Sequence, residues 1–106
     1  MLVKLNNEKE FEELIRNNQT VIVDFSATWC GPCRMLKPIF EETSEEIADT
    51  TFISVDVDDF NRLAAIYNIR SVPTLIGFKN GNVVKISIGA LPKESLVNFI
   101  NQVKNA

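Results

Sequence analysis

Histidine is absent from the 106 residues of this chain. That absence excludes a Ser/His/Asp triad, a Cys/His nucleophile pair and every metal site that uses imidazole. Glycine and proline contribute only 4 residues each, so the sequence is neither collagen-like nor of low complexity. Hydrophobic residues make up 45% of the chain and charged residues 24%. This balance predicts a single globular domain that spans residues 1–106.

The chain also lacks an excess of positive charge, because it has 11 Lys and Arg residues and 14 Asp and Glu residues. A protein dedicated to nucleic acid needs a basic excess to neutralise phosphates, so we expect no nucleic-acid partner. No apolar run approaches the roughly 18 residues that a membrane span requires. Residues 7–13 are acidic where the apolar core of a signal peptide would continue. We therefore expect a cytoplasmic protein that does not associate with membranes.

Hydrophobic periodicity predicts an α/β fold with the element order βαβαβαββα. The predicted strands cover residues 2–5, 20–25, 51–57, 74–79 and 83–88, and the predicted helices cover 8–17, 32–48, 58 or 59 to 67, and 92–103. Strand–helix–strand crossovers are almost always right-handed, so the early strands should be parallel. The Asn80-Gly81 pair predicts an antiparallel hairpin near the end. The result is a central mixed five-stranded sheet flanked by four helices.

Local signals also predict caps and buried faces for the helices. Asn7 is expected to cap the first helix, and Asp58 or Asp59 to cap the third. The third helix should bury three residues, which are Leu63, Ala64 and Ile66. The second should bury six residues, which are Met35, Leu36, Ile39, Phe40, Thr43 and Ile47.

The segment Cys30-Gly31-Pro32-Cys33 follows a predicted strand and opens a predicted helix, a context that indicates a redox pair. Unpaired backbone N–H groups and the helix dipole stabilise an anion at this position, so Cys30 should be a better thiolate than a free cysteine. We expect Cys30 to be exposed and attacking. Cys33, one turn further in, should be more deeply buried and act as the resolving thiol. Pro32 has a fixed φ that should hold the sulfurs in register.

Two other interpretations of the cysteine pair have less support. Free cysteines are among the most buried residues, so the pair could be inert core thiols. A structural metal site needs four thiolate or imidazole ligands, whereas this chain offers 2 cysteines and no histidine. We therefore expect no metal. A structural disulfide is also not expected in a reducing compartment.

Asp24 and Trp29 are the remaining candidates for the site. Asp24 lies in the most buried strand, six residues before Cys30, and burial of an unpaired carboxylate raises its pKa toward neutral pH. It could then hold and pass a proton; the alternative is a strand-end carboxylate that faces solvent or caps a turn. Trp29 precedes Cys30 in a loop, so we expect a partly exposed wall of the site rather than a core aromatic.

The chain resembles the thioredoxin family over nearly its whole length. The residues that carry the resemblance are Val23-Asp24-Phe25, Ala27, Trp29-Cys30-Gly31-Pro32-Cys33, Pro38, Asp56-Val57-Asp58, Val72-Pro73-Thr74, Phe78-Lys79-Asn80-Gly81 and Gly89-Ala90. The resemblance implies a thioredoxin fold, with Cys30 as nucleophile and Cys33 as resolving cysteine. It also implies that Asp24 is the buried acid/base and that Pro73 is a cis-proline facing the disulfide.

The same resemblance implies a docking surface for substrate. The backbone before Pro73 would pair with an extended substrate segment, flanked by Val72 and Thr74. Five further residues would complete the apolar surface, namely Trp29, Gly31, Pro32, Gly89 and Ala90.

The implied function is the reduction of protein disulfides by a reversible dithiol, without a cofactor of its own. The implied partners are disulfide-containing proteins and a flavin-dependent thioredoxin reductase, and we expect a monomer. The Gly-Pro pair between the cysteines favours a reductant, because isomerases and oxidases usually resemble CGHC or CPHC and glutaredoxins resemble CPYC. An alternative is a non-catalytic binding or scaffold subunit that uses the same surface.

Three positions depart from the family pattern. Ser26 stands where many bacterial members have a second tryptophan, so Trp29 is the only indole of the site. Ser54 stands where many members have a lysine near the buried aspartate, which argues against a lysine partner for Asp24. Gly77 stands where a bulky apolar residue is usual, and close packing is the only account that the sequence offers.

Overall fold

The computed structural model describes residues 1–106. Its strands are β1 (Leu2–Lys4), β2 (Thr20–Ser26), β3 (Thr51–Asp56), β4 (Thr74–Lys79) and β5 (Asn82–Ile88). Its helices are α1 (Glu8–Asn17), α2 (Gly31–Glu46), α3 (Asn61–Ile66) and α4 (Lys93–Lys104). The predicted element order is confirmed. None of these helices combines the length and hydropathy that a membrane-spanning helix requires.

The five strands form one mixed sheet in the order β1-β3-β2-β4-β5. Strand β3 is parallel to both β1 and β2, whereas β4 is antiparallel to β2 and β5. Strand β2 therefore lies at the centre, with residues 20–25 buried, which explains its nearly continuous apolar sequence. Its carboxyl end leads directly to Cys30, the edge where open α/β sheets place their ligands.

Two apolar clusters cover the two faces of the sheet. One contains Phe11 of α1 and Phe25 and Phe78 of the sheet, and the Phe11 and Phe78 ring centroids lie 6.1 Å apart. The other contains Leu36 of α2 and residues of α4 such as Leu96. Helix α2 is thereby fixed against the sheet by its own buried side chains, and this packing determines where its first turn lies.

The helix bounds agree with the sequence prediction at α1 and differ by one to three residues at the other three helices. Helix α1 has the predicted bounds, and the Asn7 side chain accepts a hydrogen bond from the Glu10 N–H. The predicted cap of α3 is wrong: Phe60 occupies the cap position without a side-chain bond. The Asp56 carboxylate instead accepts from the N–H groups of Asp58 and Asp59, at 2.8 and 3.4 Å. The predicted starts of α2 and α4 are each wrong by one residue.

Two predicted core residues are exposed. Met35 and Ile66 keep 70% and 60% of their surface in solvent. Each residue of a helix advances the side chain by about 100°, and the buried face of α2 runs through Cys33, Leu36 and Phe40. Met35 falls well off that face, which is why its predicted burial is wrong.

The predicted hairpin is confirmed, with a turn of two residues. Asn80 and Gly81 have φ values of 52° and 83°, and Lys79 pairs with Asn82. Two successive left-handed residues form the type I′ turn that matches the twist of antiparallel strands, and Asn-Gly is its preferred sequence.

Gly77 in β4 is explained by the packing of α4. A Cβ atom at this position would overlap the Cγ2 methyl of Val103, and Val103 is fully buried. The departure from the family pattern at Gly77 therefore reflects a close approach between strand and helix.

Gly77→Ala is expected to lower the free energy of unfolding by about 1–3 kcal/mol, because overpacking forces the helix or the side chain to move. Val103→Ala removes the clashing methyl groups, so the double variant should be more stable than the sum of the two single losses predicts. Urea denaturation of the three variants measures this coupling. Strictly additive losses would show that Val103 is not what requires glycine here.

Candidate active site

Cys30 and Cys33 lie where β2 passes into α2. Cys30 is the N-cap residue of α2, and its Sγ accepts a hydrogen bond from the Cys33 backbone N–H at 3.2 Å. Gly31 and Pro32 form the first helical turn between them. A sulfur at this position faces the unpaired N–H groups of the first turn and the positive end of the dipole of α2.

The segment before β4 faces Cys30. The Cys30 Sγ lies 3.5 Å from the carbonyl oxygen of Val72, to which the thiol donates. The Val72-Pro73 peptide bond is cis, as the resemblance implied. Both cysteines are free thiols.

The predicted exposure of Cys30 is wrong. Cys30 and Cys33 are 6% and 4% exposed, so the difference in burial between them is small. Val57 and Val72, from two different loops, pack against the cysteine pair. These long-range contacts cover the start of the helix.

Cys33 differs from a free thiol in its protonation. Burial, and next the hydrogen bond with Cys30, raise the pKa of the Cys33 thiol to about 12. At neutral pH Cys33 is therefore almost entirely protonated, and a base must remove its proton before it can act as a nucleophile.

Asp24 is buried beneath the cysteines, with 3% of its surface exposed. In the sheet it pairs with Ser54 of β3 and Leu75 of β4, and its Oδ1 has no hydrogen-bond partner. Burial raises the pKa of Asp24 to about 7. The carboxyl group is thus half ionised near neutral pH, which suits proton transfer in either direction.

A cavity of about 400 Å³ connects this carboxylate with the surface. Its lining includes Asp24, Cys33 and Ser54, and also Lys37 of α2, which is exposed. A cavity of this size with carboxylate, hydroxyl and ammonium groups in its lining can hold several water molecules. Sequence reasoning missed it, because no local signal links Lys37 of the helix to Asp24 of the strand.

Trp29 is 66% exposed, so the prediction that this side chain is exposed and not a core aromatic is confirmed. Its Nε1–H donates a 2.9 Å hydrogen bond to the Asp58 carboxylate. Asp58, one of the two residues predicted to cap α3, instead fixes the orientation of the indole. The sequence does not predict this contact, because Asp58 lies in a different loop, 29 residues after Trp29.

The docking residues implied by the resemblance collect at one end of the sheet. Gly89 follows β5 with a φ of 99°, and its N–H donates a 2.8 Å hydrogen bond to the Pro73 carbonyl. Pro32 and Ala90 are exposed, whereas Gly31 and Gly89 are partly buried.

Thr74 differs from the other docking residues, because it is buried. Its hydroxyl donates to the Ser71 carbonyl at 2.7 Å. The side chain is therefore engaged in holding the loop that carries Val72 and Pro73, and does not lie on the surface.

Comparison with known proteins places this site in a family. The thioredoxin family model matches residues 2–102. A thioredoxin from Mycoplasmoides gallisepticum is 46% identical over 96 residues, which cover 91% of this chain and 96% of the relative. A thioredoxin from Haemophilus influenzae is 43% identical over 98 residues, which cover 91% and 92% of the two chains.

Solved structures agree with the sequence comparisons. A mutant thioredoxin from Halobacterium salinarum superposes with a TM-score of 0.90 at 33% identity, covering 96% of this chain and 89% of that one. A thioredoxin from Plasmodium falciparum gives a TM-score of 0.88 at 38% identity, covering 93% and 96%. The chain therefore belongs to the thioredoxin family and is a thiol–disulfide oxidoreductase that reduces disulfide bonds in proteins.

Proposed function

We propose that Cys30 attacks the target disulfide, Cys33 resolves the mixed disulfide and Asp24 carries the proton. The observation that carries these roles is that the three groups adjoin one another. Cys30 lies at the helix N-cap against Val72 and accepts a hydrogen bond from Cys33, and the protonated Cys33 shares a cavity with the half-ionised Asp24.

In the first step the Cys30 thiolate attacks one sulfur of the target disulfide. A bond forms between the Cys30 Sγ and that sulfur, the target's own S–S bond breaks, and the second target sulfur leaves as a thiolate that takes a proton from water. The Cys33 N–H, which donates to the Cys30 Sγ, stabilises the attacking thiolate before the bond forms.

In the second step Cys33 gives its proton to Asp24 and attacks the Cys30 Sγ. The bond between Cys30 and the target breaks, the target sulfur leaves as a thiolate, and a Cys30–Cys33 disulfide remains. Two electrons have then passed from this chain to the target. The proton on Asp24 returns to solvent through the cavity that Lys37 lines.

The order of these steps follows from what raises the pKa of Cys33. Besides burial, the hydrogen bond with Cys30 and the charge on Cys30 raise it. Both contributions end when Cys30 enters the mixed disulfide. Cys33 therefore loses its proton more readily in the mixed disulfide, where it must attack, than in the reduced protein.

Docking of the target is proposed to use the backbone of Val72, beside the Cys30 sulfur. The exposed surfaces of Trp29, Pro32 and Ala90 flank this position, together with the glycines Gly31 and Gly89. Pro73 and Thr74 are buried, so we assign them to positioning the loop.

Members of the thioredoxin family in general act on protein disulfides and are recharged by thioredoxin reductases. We propose that a flavin-dependent thioredoxin reductase reduces the Cys30–Cys33 disulfide here. We further propose that residues 1–106 form one domain, because all five strands belong to one sheet. A monomeric state and a cytoplasmic location stay predictions. No feature of the site favours the alternative of a non-catalytic docking subunit.

Brief treatment of the reduced protein with iodoacetamide at pH 7 tests these roles. Cys30 should be alkylated first, because the raised pKa of Cys33 keeps that thiol protonated. The untreated protein should accelerate the reduction of insulin by dithiothreitol, and the protein carrying one label should not.

Mass spectrometry of the digest locates the label, and turbidity of the insulin B chain follows the reduction. A label found mainly on Cys33 would reverse the assigned roles. An untreated protein no faster than dithiothreitol alone would favour the docking subunit.

A further inference from the structure

Strand β5 lies at one edge of the sheet and pairs only with β4. Four of its seven residues are large apolar side chains that remain exposed. Val83, Val84, Ile86 and Ile88 keep 43%, 41%, 55% and 70% of their surface in solvent. Single exposed apolar residues are ordinary, but a contiguous group marks a binding surface.

Three of these side chains share one face of the sheet. Val83 pairs with Phe78 and Ile86 pairs with Ile76, and both partners belong to the core beneath α1. Ile88, two residues after Ile86, lies on the same face because side chains alternate along a strand. We name Val83, Ile86 and Ile88 the β5 strip; their exposure shows that no helix covers it.

The polar residues of β5 lie on the opposite face. Lys85 pairs with Gly77, and its Nζ lies 6.0 Å from the centroid of the Phe99 ring of α4. Ser87 pairs with Leu75, which packs in the cluster under α4. The β5 strip therefore carries no charge, and a partner gains free energy there only by burying apolar side chains.

A β-bulge limits how a partner can approach this edge. The register shifts so that Lys85 pairs with Gly77 and Val83 pairs with Phe78, which leaves Val84 unpaired. Bulges bend an edge strand and interrupt the row of free backbone groups that another strand would use. The partner therefore contacts the side chains of the strip and does not extend the sheet, which argues against pairing with β5 of a second copy.

One end of the β5 strip touches the active site. Ile88 directly precedes Gly89, whose N–H donates to the carbonyl of Pro73, and the neighbouring Val72 carbonyl faces the Cys30 sulfur. Ile86 lies about 7 Å further along the strand. The strip thus begins beside the position that a target disulfide must occupy and runs away from it.

We propose that the β5 strip binds an apolar segment that flanks the disulfide of the target protein. The inference rests on the proposed function and adds a substrate class to it: protein disulfides with apolar neighbours are preferred over those with polar neighbours. The segment lies across the side chains of Ile88 and Ile86, and it is held by apolar contact without a charge partner.

Rates of reduction by the reduced protein test this preference. The probes are two synthetic peptides with the same internal disulfide, one flanked by valine and isoleucine and one by serine and glycine, together with dithiobis(nitrobenzoate) as a small disulfide. The wild-type chain should reduce the apolar peptide about tenfold faster than the polar one. Ile86→Lys should remove that advantage and leave the other two rates unchanged.

Ser87→Lys is the matched control, since it adds the same charge on the opposite face of β5 and should leave all three rates unchanged. Ile86→Thr keeps a β-branched side chain and should lose part of the preference, while an unchanged denaturation midpoint verifies the fold of each variant. Equal rates for both peptides, or a preference that survives Ile86→Lys, would overturn the inference. So would a wild-type dimer that Ile86→Lys dissociates. Failure to reduce any probe would instead refute the proposed function.

Discussion

Asp24→Asn is expected to raise the free energy of unfolding by about 4 kcal/mol at pH 8 and to change it little at pH 3. Burial raises the pKa of Asp24 from 3.8 to about 7. Between these values the carboxyl group ionises in the unfolded chain but stays protonated in the fold. The wild-type protein therefore loses stability as the pH rises through this range, and asparagine, which cannot ionise, does not.

The test is whether the gain in the free energy of unfolding of Asp24→Asn grows as the pH rises. Below the pKa that Asp24 has in the unfolded chain, the carboxyl group is neutral in both the folded and the unfolded state. Replacing it by an amide then changes the free energy of unfolding little. Above about pH 7 it is charged in both states, and the difference in unfolding free energy becomes constant. Urea denaturation at several pH values measures the difference, and Asp59→Asn, on the exposed surface, is the control. A gain that does not grow between pH 4 and pH 8 would contradict burial as the cause.

The same variant separates a catalytic role from a structural one. Asparagine cannot accept the Cys33 proton, and general-base assistance is commonly worth roughly 10²–10⁴-fold in rate. Asp24→Asn should therefore be more stable yet slower in insulin reduction, with the mixed disulfide accumulating. A variant that is less stable and fully active would show that Asp24 only supports the fold.

Periodicity and turn chemistry predicted the architecture because each element carries its own signal. The continuous apolar run of β2, the Asn7 cap of α1 and the Asn80-Gly81 turn are local features, and the structure confirms all three. The position of the cysteine pair followed equally directly, from a strand that ends just before a helix begins.

The parts that sequence reasoning missed depend on contacts between distant segments. Cys30 is buried because Val57 and Val72 reach it from other loops. Asp58 binds the Trp29 indole because the loop after β3 lies beside the loop after β2. Neither contact can be predicted from the spacing or composition of the residues. The predicted start of the short helix α3 is wrong for the same reason.

The burial of Asp24 shows how far a local pattern can be taken. Its apolar neighbours predicted a raised pKa, and the structure agrees. The cavity through which the proton can leave involves α2 and several strands, so only the packed fold reveals it. The pattern thus predicted the chemical state of this group but not its connection to solvent.

Cys33→Ser is expected to reduce insulin turnover to the background of dithiothreitol alone and to trap the target. Cys30 can still attack a disulfide in this variant, but the serine hydroxyl cannot displace the target from the Cys30 sulfur. One target chain should therefore remain bound to each protein molecule through Cys30. Non-reducing electrophoresis followed by mass spectrometry measures the amount and the site of the adduct.

Cys30→Ser is the matched control, because it leaves the other thiol of the pair in place. That thiol is 4% exposed, and burial raises the pKa of Cys33 to about 12, so it should form adducts far more slowly. Serine cannot carry the charge of a Cys30 thiolate, one of the causes that raise the pKa of Cys33, so this pKa should fall without exposing the sulfur. Equal trapping by both variants would show that the two cysteines are interchangeable. It would overturn the division of roles that the helix N-cap and the buried carboxylate support.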